Sequence, residues 1–459
     1  MGKTVDMTTG SPMKLIVGYT IPMLAGLLFQ QFYNIVDTVI VGQRLGTDAL
    51  AAVASTGSVS FLIVGFCIGI CSGFAIPIAQ AFGARDFSRL RRYIANAIYL
   101  SAVFSIVITA IVCLLTRQIL TAMDTPENII DDAYAYIFII FLGIPVTFLY
   151  NMTAGIIRSL GDSKTPVYFL LMASVINIGL DLLFIMVLGT GVGGAAVATV
   201  ISQLLSGIAC LIYMIRKFPI LKMETGEWGI NTGCMADLCN MGIPMGLQYS
   251  ITAIGSVILQ TSVNSLGSDV VASVGAAGKI NQFLMCPFDA MGSAMATYGG
   301  QNVGGRKLER LKTGLAACIK LGAGYSVIAL LIVLIGGNGL LLLFIDAEET
   351  AILADAHYVM IANVSFFFML ALVNIVRFMI QGMGFSKFAM LAGVLEMIAR
   401  AFDGIFLVPI FGLAGAAFAS PLAWICADAF LIPAFFITYK KLEGTLELYR
   451  KPRKVVVHA

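Results

Sequence analysis

The sequence predicts an all-α integral membrane protein with twelve transmembrane helices. They form two parallel six-helix bundles related by a pseudo-two-fold axis along the membrane normal. Three observations predict this fold: an apolar composition, twelve apolar runs of bilayer length, and two halves that resemble each other. Of the 459 residues, 59% are hydrophobic and 12% are charged, whereas a soluble domain carries about 25% charged residues. This composition excludes a soluble multidomain protein and a disordered chain, because both need more polar surface.

Twelve segments are long and apolar enough to cross a bilayer, whose core takes about 20 residues of α-helix. Transmembrane β-strands would be about ten residues long with alternating polarity, and these segments are longer and evenly apolar. The segments, numbered here as spans 1 to 12, cover residues 15–42, 51–79, 91–115, 133–157, 165–188, 193–216, 237–265, 271–299, 313–336, 353–381, 386–410 and 413–438.

Lysine and arginine concentrate in every second connection between spans. The basic connections follow spans 2, 4, 6, 8 and 10 and include Arg85, Arg158, Lys217, Arg306 and Lys387. The opposite connections contain only Arg44 and Arg117 as basic residues, together with most of the loop acids. Since basic loops stay in the cytoplasm, both termini are predicted to be cytoplasmic, in a multi-pass protein of a bacterial plasma (inner) membrane.

The two halves of the chain repeat each other at an offset of about 221 positions. LGTDALAAVASTG at residue 45 returns as LGSDVVASVGAAG at residue 266, and QAFGARDFSRLRR at Gln80 returns as QNVGGRKLERLK at Gln301. A repeat of six spans keeps its orientation in the membrane, so the halves are parallel, as in many transporters. The predicted organisation is an N-terminal bundle over 1–216, a cytoplasmic linker over 217–236, a C-terminal bundle over 237–438 and a cytoplasmic tail over 439–459.

Two acidic residues lie inside the spans of the first half, where each charge costs about 2.5–3.5 kcal/mol. They are Asp37 in span 1 and Asp181 in span 5. Asn177 precedes Asp181 by four residues and shares its helix face, and Tyr33 and Asn34 stand one turn before Asp37. Such a group could hold Na⁺ or share a proton, or only fix helix packing by hydrogen bonds. No basic residue matches the two acids within this half, which favours a coupling site.

The second half carries charges of both signs. Span 11 contains Glu396, Arg400 and Asp403 on one helix face, and span 10 contains Arg377. These four residues predict a polar network, which is either a structural or gating set of ion pairs or a direct participant in coupling or substrate binding. Lys279, Asp289 and Asp428 are further, isolated charges within the spans.

Other residues suggest a hinge and a cleft. Pro22 lies inside span 1, where a proline permits a kink that either responds to Asp37 or is static. Met291 and Met295 stand one turn apart in span 8 and, with Asn34, could line a soft cleft for lipophilic cations. The alternative is that these methionines face lipid.

Several function classes find no support in the sequence. The net charge of +3 is far below that of a nucleic-acid binder. There is no GxSxG, HExxH or phosphate-binding GxxxxGK[ST] motif, and the nine cysteines form no metal-ligand spacing. We therefore expect a protein that is not an enzyme, binds no cofactor and draws energy from an ion gradient.

The chain resembles the multidrug and toxic compound extrusion (MATE) family over essentially its whole length. The resemblance rests on the two six-span halves, on NIVDTVIVGQRLGTDALAA in span 1, on QAFGARDFSRL after span 2 and on GGAAVAT at the start of span 6. It implies two bundles around a V-shaped cleft and export of organic cations driven by entry of Na⁺ or H⁺.

The resemblance also implies a cation site. The matching residues are Asp37, Asn177, Asp181 and Thr199, and the only metal it implies is a Na⁺ ion at the first three. Pro22 matches a proline that bends helix 1 in some members. One branch of the family has a second cation site, with acids in helices 7 and 10. Here helix 7 has no acid between Asp237 and Asp269, and span 10 has Arg377, which favours coupling through the N-terminal half.

The sequence therefore predicts an antiporter, coupled to H⁺ or Na⁺, that exports small organic cations by alternating access. It is expected to be a monomer surrounded by membrane lipids, without nucleic acid as a partner. One alternative is a flippase for a lipid-linked precursor, which a cationic cleft with Arg377, Arg400 and Lys279 would favour. Another is a receptor or membrane enzyme that does not transport.

Overall fold

The computed structural model describes residues 4–123 and 125–450, and the regular elements within these ranges are all helices. The α-helices are α1 Pro12–Leu45, α2 Thr47–Gly83, α3 Phe87–Ala122, α4 Ile130–Leu142, α5 Ile144–Ser159, α6 Lys164–Asp181, α7 Gly191–Lys217, α8 Thr232–Asn264, α9 Ser268–Gly304, α10 Glu309–Leu341, α11 Thr350–Ser365, α12 Phe367–Gly382, α13 Ser386–Phe402, α14 Val408–Phe411 and α15 Leu413–Arg450. A π-helical turn follows α6 (Leu182–Val187), a second follows α13 (Asp403–Leu407), and a 3₁₀ turn follows α7 (Pro219–Leu221).

The prediction of twelve spans is confirmed. Eight helices in the described ranges are individually long and apolar enough to cross a membrane, and two bent pairs raise the number to ten. The pairs are α4 with α5, bent by 45°, and α11 with α12, bent by 47°, which are spans 4 and 10. The other two spans are α9, which carries many polar residues, and α13 with the π-helical turn after it, which carries Glu396, Arg400 and Asp403.

Each half has its own apolar core. Phe74 and Phe141 are buried in the core of α1–α7, and Phe288 and Phe367 are buried in the core of α8–α15. The predicted linker 217–236 joins α7 to α8. The predicted tail 439–459 begins inside α15, and residues 451–459 lie outside the described residues.

The halves meet along two helix pairs that the repeat relates to each other, α2 with α8 and α9 with α1. Glycines allow the first pair to approach closely. A Cβ placed on Gly73 would lie 2.4 Å from Gly242 Cα, and one on Gly69 would lie 2.6 Å from the Met245 carbonyl oxygen. Membrane helices associate mainly through such close packing of small residues, since lipid removes the hydrophobic drive between them.

The contact between the halves is tightest at the basic side, the helix ends that carry the basic connections. There Gln80 and Gly83 of α2 lie against Gln301 and Gly304 of α9. A Cβ on Gly83 would be 1.9 Å from the Gln301 carbonyl oxygen, and one on Gly304 would be 1.8 Å from that of Gln80. The two contacts are copies of each other, 221 positions apart, so the pseudo-two-fold axis passes between them.

Residues 4–11, the N-terminal segment, cover this contact. The Val5 amide donates to the Leu160 carbonyl (2.9 Å) in the first half, and the Met7 amide donates to Gln301 Oε1 (2.8 Å) in the second. The Met7 side chain is fully buried. The segment therefore bridges the two halves and seals the basic side.

Towards the acidic side, the opposite helix ends, the halves separate. Contacts between α2 and α8 reach Leu62, whose carbonyl accepts a hydrogen bond from Ser250 Oγ (3.0 Å). Closer to the acidic side, a Cβ on Gly278 of α9 would have open space around it. The exposed residues around Gly278 on α9 are polar or small at helical spacing, namely Gly275, Lys279, Gln282 and Asp289. Because lipid would disfavour such residues, we infer that they line a cleft between the halves that opens at the acidic side.

A buried ion pair holds the linker against the first half. Arg91 of α3 donates two hydrogen bonds to Glu227, from Nε to Oε2 (2.5 Å) and from Nη2 to Oε1 (2.9 Å). Glu227 is 3% exposed. The hydrogen bonds from Arg91 lower the pKa of Glu227 from 4.5 to about 2. Glu224 also lies 3.0 Å from Arg91, but its side chain is 72% exposed.

We expect Glu227→Gln to lower the free energy of unfolding by about 3 kcal/mol, because it leaves Arg91 buried with the exposed Glu224 as its one charged partner among the described residues. Glu224→Gln is the matched control and should cost less than about 1 kcal/mol, since exposed pairs are screened by water. Because the folded pKa is lowered, the stabilisation by Glu227 is present above pH 4.5 and lost as the pH falls towards 2. Thermal unfolding in detergent between these pH values measures both effects, and equal losses for the two variants would contradict the prediction.

Candidate functional site

The structure brings together the predicted coupling residues of the first half. Asp37 comes from α1, Asp181 from the last position of α6, and Thr199 from α7. Asp181 and Asn177 are 0% and 1% exposed, while Asp37 and Thr199 are half-buried. The carboxyl groups of Asp37 and Asp181 are direct neighbours that interact with each other.

Asn177 links the acid pair to the hydroxyl groups around it. With its amide oriented to satisfy its neighbours, the nitrogen donates to Asp181 Oδ2 (2.7 Å) and to Tyr33 Oη (3.2 Å). The Tyr33 hydroxyl also forms a hydrogen bond with Thr199, whose Oγ1 donates to the Ala195 carbonyl (3.0 Å). The sequence predicted two pairs of neighbours, Asn177 with Asp181 and Tyr33 with Asp37. In the structure the two pairs form one polar cluster.

The acid pair has no basic partner among the described residues. Neither Asp37 nor Asp181 forms an ion pair there, and the buried Oδ1 atom of each has no hydrogen-bond partner. Buried polar atoms are normally satisfied, so these two are placed to take a ligand. The π-helical turn begins directly after Asp181, and such turns occur frequently at functional sites.

One residue of this cluster was missed by the sequence reasoning. Tyr136 of α4 lies beside both Asp37 and Asp181. A tyrosine within an apolar span is common and costs little, so nothing in the sequence distinguished it. The structure therefore adds a second aromatic hydroxyl to the site, and a fourth helix contributes it.

The predicted hinge and cleft residues occupy different environments. Pro22 lies within the continuous helix α1, fifteen residues before Asp37. Asn34 is exposed, whereas Met291 and Met295 are 3% and 0% exposed and belong to the core of the second half. In this state the two methionines pack inside the bundle, and their role as a cleft surface stays a prediction.

The polar network of the second half is formed by three of its four predicted members. Glu396 forms ion pairs with Arg377 of α12 and with Arg400, whose Nη2 lies 3.4 Å from Glu396 Oε2. All three are less than 10% exposed. Asp403, by contrast, makes no ion pair or hydrogen bond to any described residue, although it is 1% exposed.

The cleft contains one further acid. Asp289 lies near the middle of α9, and its side chain is exposed although the helix is a predicted span. Tyr249 and Arg377 lie near it, but Asp289 forms no ion pair within the described part of the chain. The sequence identified Asp289 only as an isolated charge, since its position at the floor of the cleft depends on how the halves meet.

The acid pair can take up either a proton or a small cation. Two carboxyl groups form a hydrogen bond with each other only when one of them is protonated. A Na⁺ ion would need oxygen ligands, which the two carboxyl groups and the side-chain oxygen of Asn177 can supply. No cluster of three or more Asp, Glu, His or Cys residues that could hold a metal ion occurs in the described ranges.

Two six-helix halves around a cleft, with unpaired acids within the membrane, define a membrane transporter. The family model described as MatE matches residues 22–183 and 244–423, once in each half. The chain therefore belongs to the MatE family of multidrug and toxic compound extrusion transporters, and its resemblance to this family is confirmed.

Known relatives and solved structures agree with this assignment. The chain is 30% identical to the probable multidrug resistance protein YoeA of Bacillus subtilis, over 73% of this chain and 74% of the relative. It is 32% identical to the probable multidrug resistance protein YpnP of the same species, over 66% and 67%. A crystal structure of MATE in complex with MaL6 matches 97% of this chain and 100% of its own, with a TM-score of 0.90 and 23% identity. That structural match shows the fold.

Proposed function

We propose that this chain is a proton-coupled antiporter that exports small organic cations across the bacterial plasma membrane, with its basic side in the cytoplasm. The observation that carries the proposal is the pair formed by the half-buried Asp37 and the buried Asp181. Their carboxyl groups are neighbours and have no basic partner among the described residues. An intramembrane acid without a counter-charge is typical of a proton relay in a transporter.

In the proposed cycle, the state open at the acidic side takes up a proton from outside. The proton enters the shared position between Asp37 and Asp181 and neutralises the pair, and α1 bends at Pro22 in response. The cationic substrate leaves outward, and the protonated carrier then opens its basic side. For this step the contacts of Gly83 and Gly304 and the N-terminal segment must separate.

Asp289 supports a cationic substrate. Its carboxylate is exposed at the floor of the cleft and forms no ion pair within residues 4–123 and 125–450. The nearby ring of Tyr249 could add a cation–π contact, which contributes about 0.5–2 kcal/mol. A cation entering the cleft would therefore meet one unpaired negative charge and an aromatic face.

Uptake of a fluorescent organic cation into inverted membrane vesicles tests the function. The vesicle lumen then corresponds to the outside of the cell, so an acidic lumen is expected to drive uptake, and a Na⁺ gradient at equal pH is not. Vesicles from cells without the protein supply the baseline. Uptake that ignores both gradients would contradict antiport, and uptake driven by Na⁺ alone would replace the proton as the coupling ion.

The alternative of a lipid flippase receives less support. Its main sequence argument was a cationic cleft, but Arg377 and Arg400 are buried and share Glu396. Of the three basic residues, only Lys279 is exposed. A single lysine provides little attraction for a pyrophosphate group. We also propose that the monomer is the transporting unit, since each part of the site lies within one chain.

A further inference from the structure

Asp403 holds the same position in the second half as Asp181 holds in the first. The two residues are 222 positions apart, which is also the offset between residues 22 and 244, where the two family matches begin. Asp181 is the last residue of α6, directly before a π-helical turn, and Asp403 is the first residue of the π-helical turn after α13. Both are buried, with 0% and 1% of their surface exposed.

The surroundings of Asp403 contain no counter-charge within the described ranges. Its turn packs against α8, α13, α14 and α15. The charged groups of α13 nearest in sequence are Arg400 and Glu396, which pair with each other, and the Asp428 carboxylate of α15 faces Arg377. The part of α8 within the membrane and the whole of α14 carry no charged residue. Both carboxyl oxygens of Asp403 lack a hydrogen-bond partner.

We propose that Asp403 is a second proton-binding site, which carries a proton in the state open at the acidic side and releases it on the other side of the membrane. An isolated carboxylate buried in this way is costly, and binding a proton to one of its oxygens removes the charge. A metal ion would need several oxygen ligands. Beside this turn, Ser262 Oγ lies against Gly404, and this hydroxyl already donates to the Ile258 carbonyl (3.3 Å).

The two halves would then carry protons in different ways. The first half holds one proton between two carboxyl groups, and the second half holds one on a single carboxyl group. Two protons would therefore be exchanged for each substrate molecule. This inference rests on the proposed proton-coupled antiport, because only a carrier that uses protons gains energy from a second one.

The number of protons can be measured in proteoliposomes that contain the purified full chain, with ethidium as the probe and the membrane potential clamped at zero. The ethidium ratio, which is the concentration inside divided by the concentration outside at which net flux stops, is recorded at several pH differences across the membrane. With two protons the ratio changes about a hundredfold per pH unit, and with one proton about tenfold. We expect the hundredfold change for the wild type and for Asp403→Glu, and the tenfold change for Asp403→Asn.

Infrared difference spectroscopy between two pH values supplies a readout that does not require transport. Asp403→Asn is expected to lose one carbonyl band of a protonated carboxylic acid that the wild type and Asp403→Glu show. An unchanged ratio together with an unchanged band in Asp403→Asn would overturn the proposal. A wild type whose ethidium ratio ignores pH would instead contradict the proposed antiport, and the infrared band would still decide whether Asp403 binds a proton.

Discussion

Replacing Asp37 by asparagine is expected to reduce gradient-driven efflux to the level of membranes without the protein, and Asp181→Asn is expected to do the same. An amide has nearly the volume of a carboxyl group but cannot take up or release a proton in this pH range. Since Oδ1 of each acid has no hydrogen-bond partner among the described residues, neither substitution breaks a contact at that atom. The loss should therefore concern coupling and leave the fold intact.

Two measurements separate coupling from folding. Uptake of a fluorescent cation into inverted vesicles reports transport, and thermal unfolding in detergent reports stability. Substrate binding provides a third readout: it should weaken as the pH falls in the wild type and depend less steeply on pH in Asp37→Asn. Asp48→Asn is the matched control, since Asp48 is an exposed acid at the start of α2. If Asp37→Asn retained proton-driven uptake, the assignment of the acid pair would be wrong.

The helices were predictable because the bilayer restricts the chain so strongly. A segment within lipid must satisfy its own backbone hydrogen bonds, so length and apolarity were enough to place all twelve spans. The bends between α4 and α5 and between α11 and α12 were not visible. They occur at Gly143 and Phe366, and Phe366 has no sequence feature that distinguishes it from its neighbours.

The candidate site was predictable only as far as single helices determine it. Asp37 and Asp181 were recognised because a charge in lipid is costly, whereas Tyr136 joins them from a different helix, α4, through the packing of the bundle. Asp403 was grouped with Arg400 on one helix face, on the assumption of a regular α-helix. Arg400 pairs with Glu396 instead, and the structure leaves Asp403 isolated at the end of α13, which a helix face alone does not predict.

The place where the halves approach most closely was also not predictable, although the two segments that meet there are copies of each other in the sequence. Gln80 and Gly83 resemble Gln301 and Gly304, but a repeat does not show that its two copies meet. They do meet, at the basic side, and each glycine occupies a place where a Cβ would overlap a backbone carbonyl of the other copy. A backbone atom cannot move aside as a flexible side chain can, so the helices themselves would have to shift.

Gly304→Ala is therefore expected to disfavour the state in which the basic side is closed. Forcing a methyl group into such a contact costs about 1–3 kcal/mol. The protein can avoid this cost by separating the halves at the basic side, which shifts the equilibrium between the two states about 5- to 150-fold. Gly83→Ala is expected to have the same effect, because the pseudo-two-fold axis makes the two contacts equivalent. In both variants the result is a change of conformation more than a loss of fold.

Hydrogen–deuterium exchange detects this shift without labels. The amides of Val5 and Met7 are hydrogen-bonded to opposite halves while the basic side is closed. Separation of the halves must break at least one of these bonds, so at least one of the two amides should exchange faster in Gly304→Ala and Gly83→Ala. Gly324→Ala of α10 is the control, since a Cβ there meets open space and changes only the helix propensity. Unchanged exchange of the N-terminal segment in both variants would show that the glycine contact does not hold the basic side closed. Faster exchange throughout the chain would indicate unfolding instead, and the contact would then be a requirement for folding.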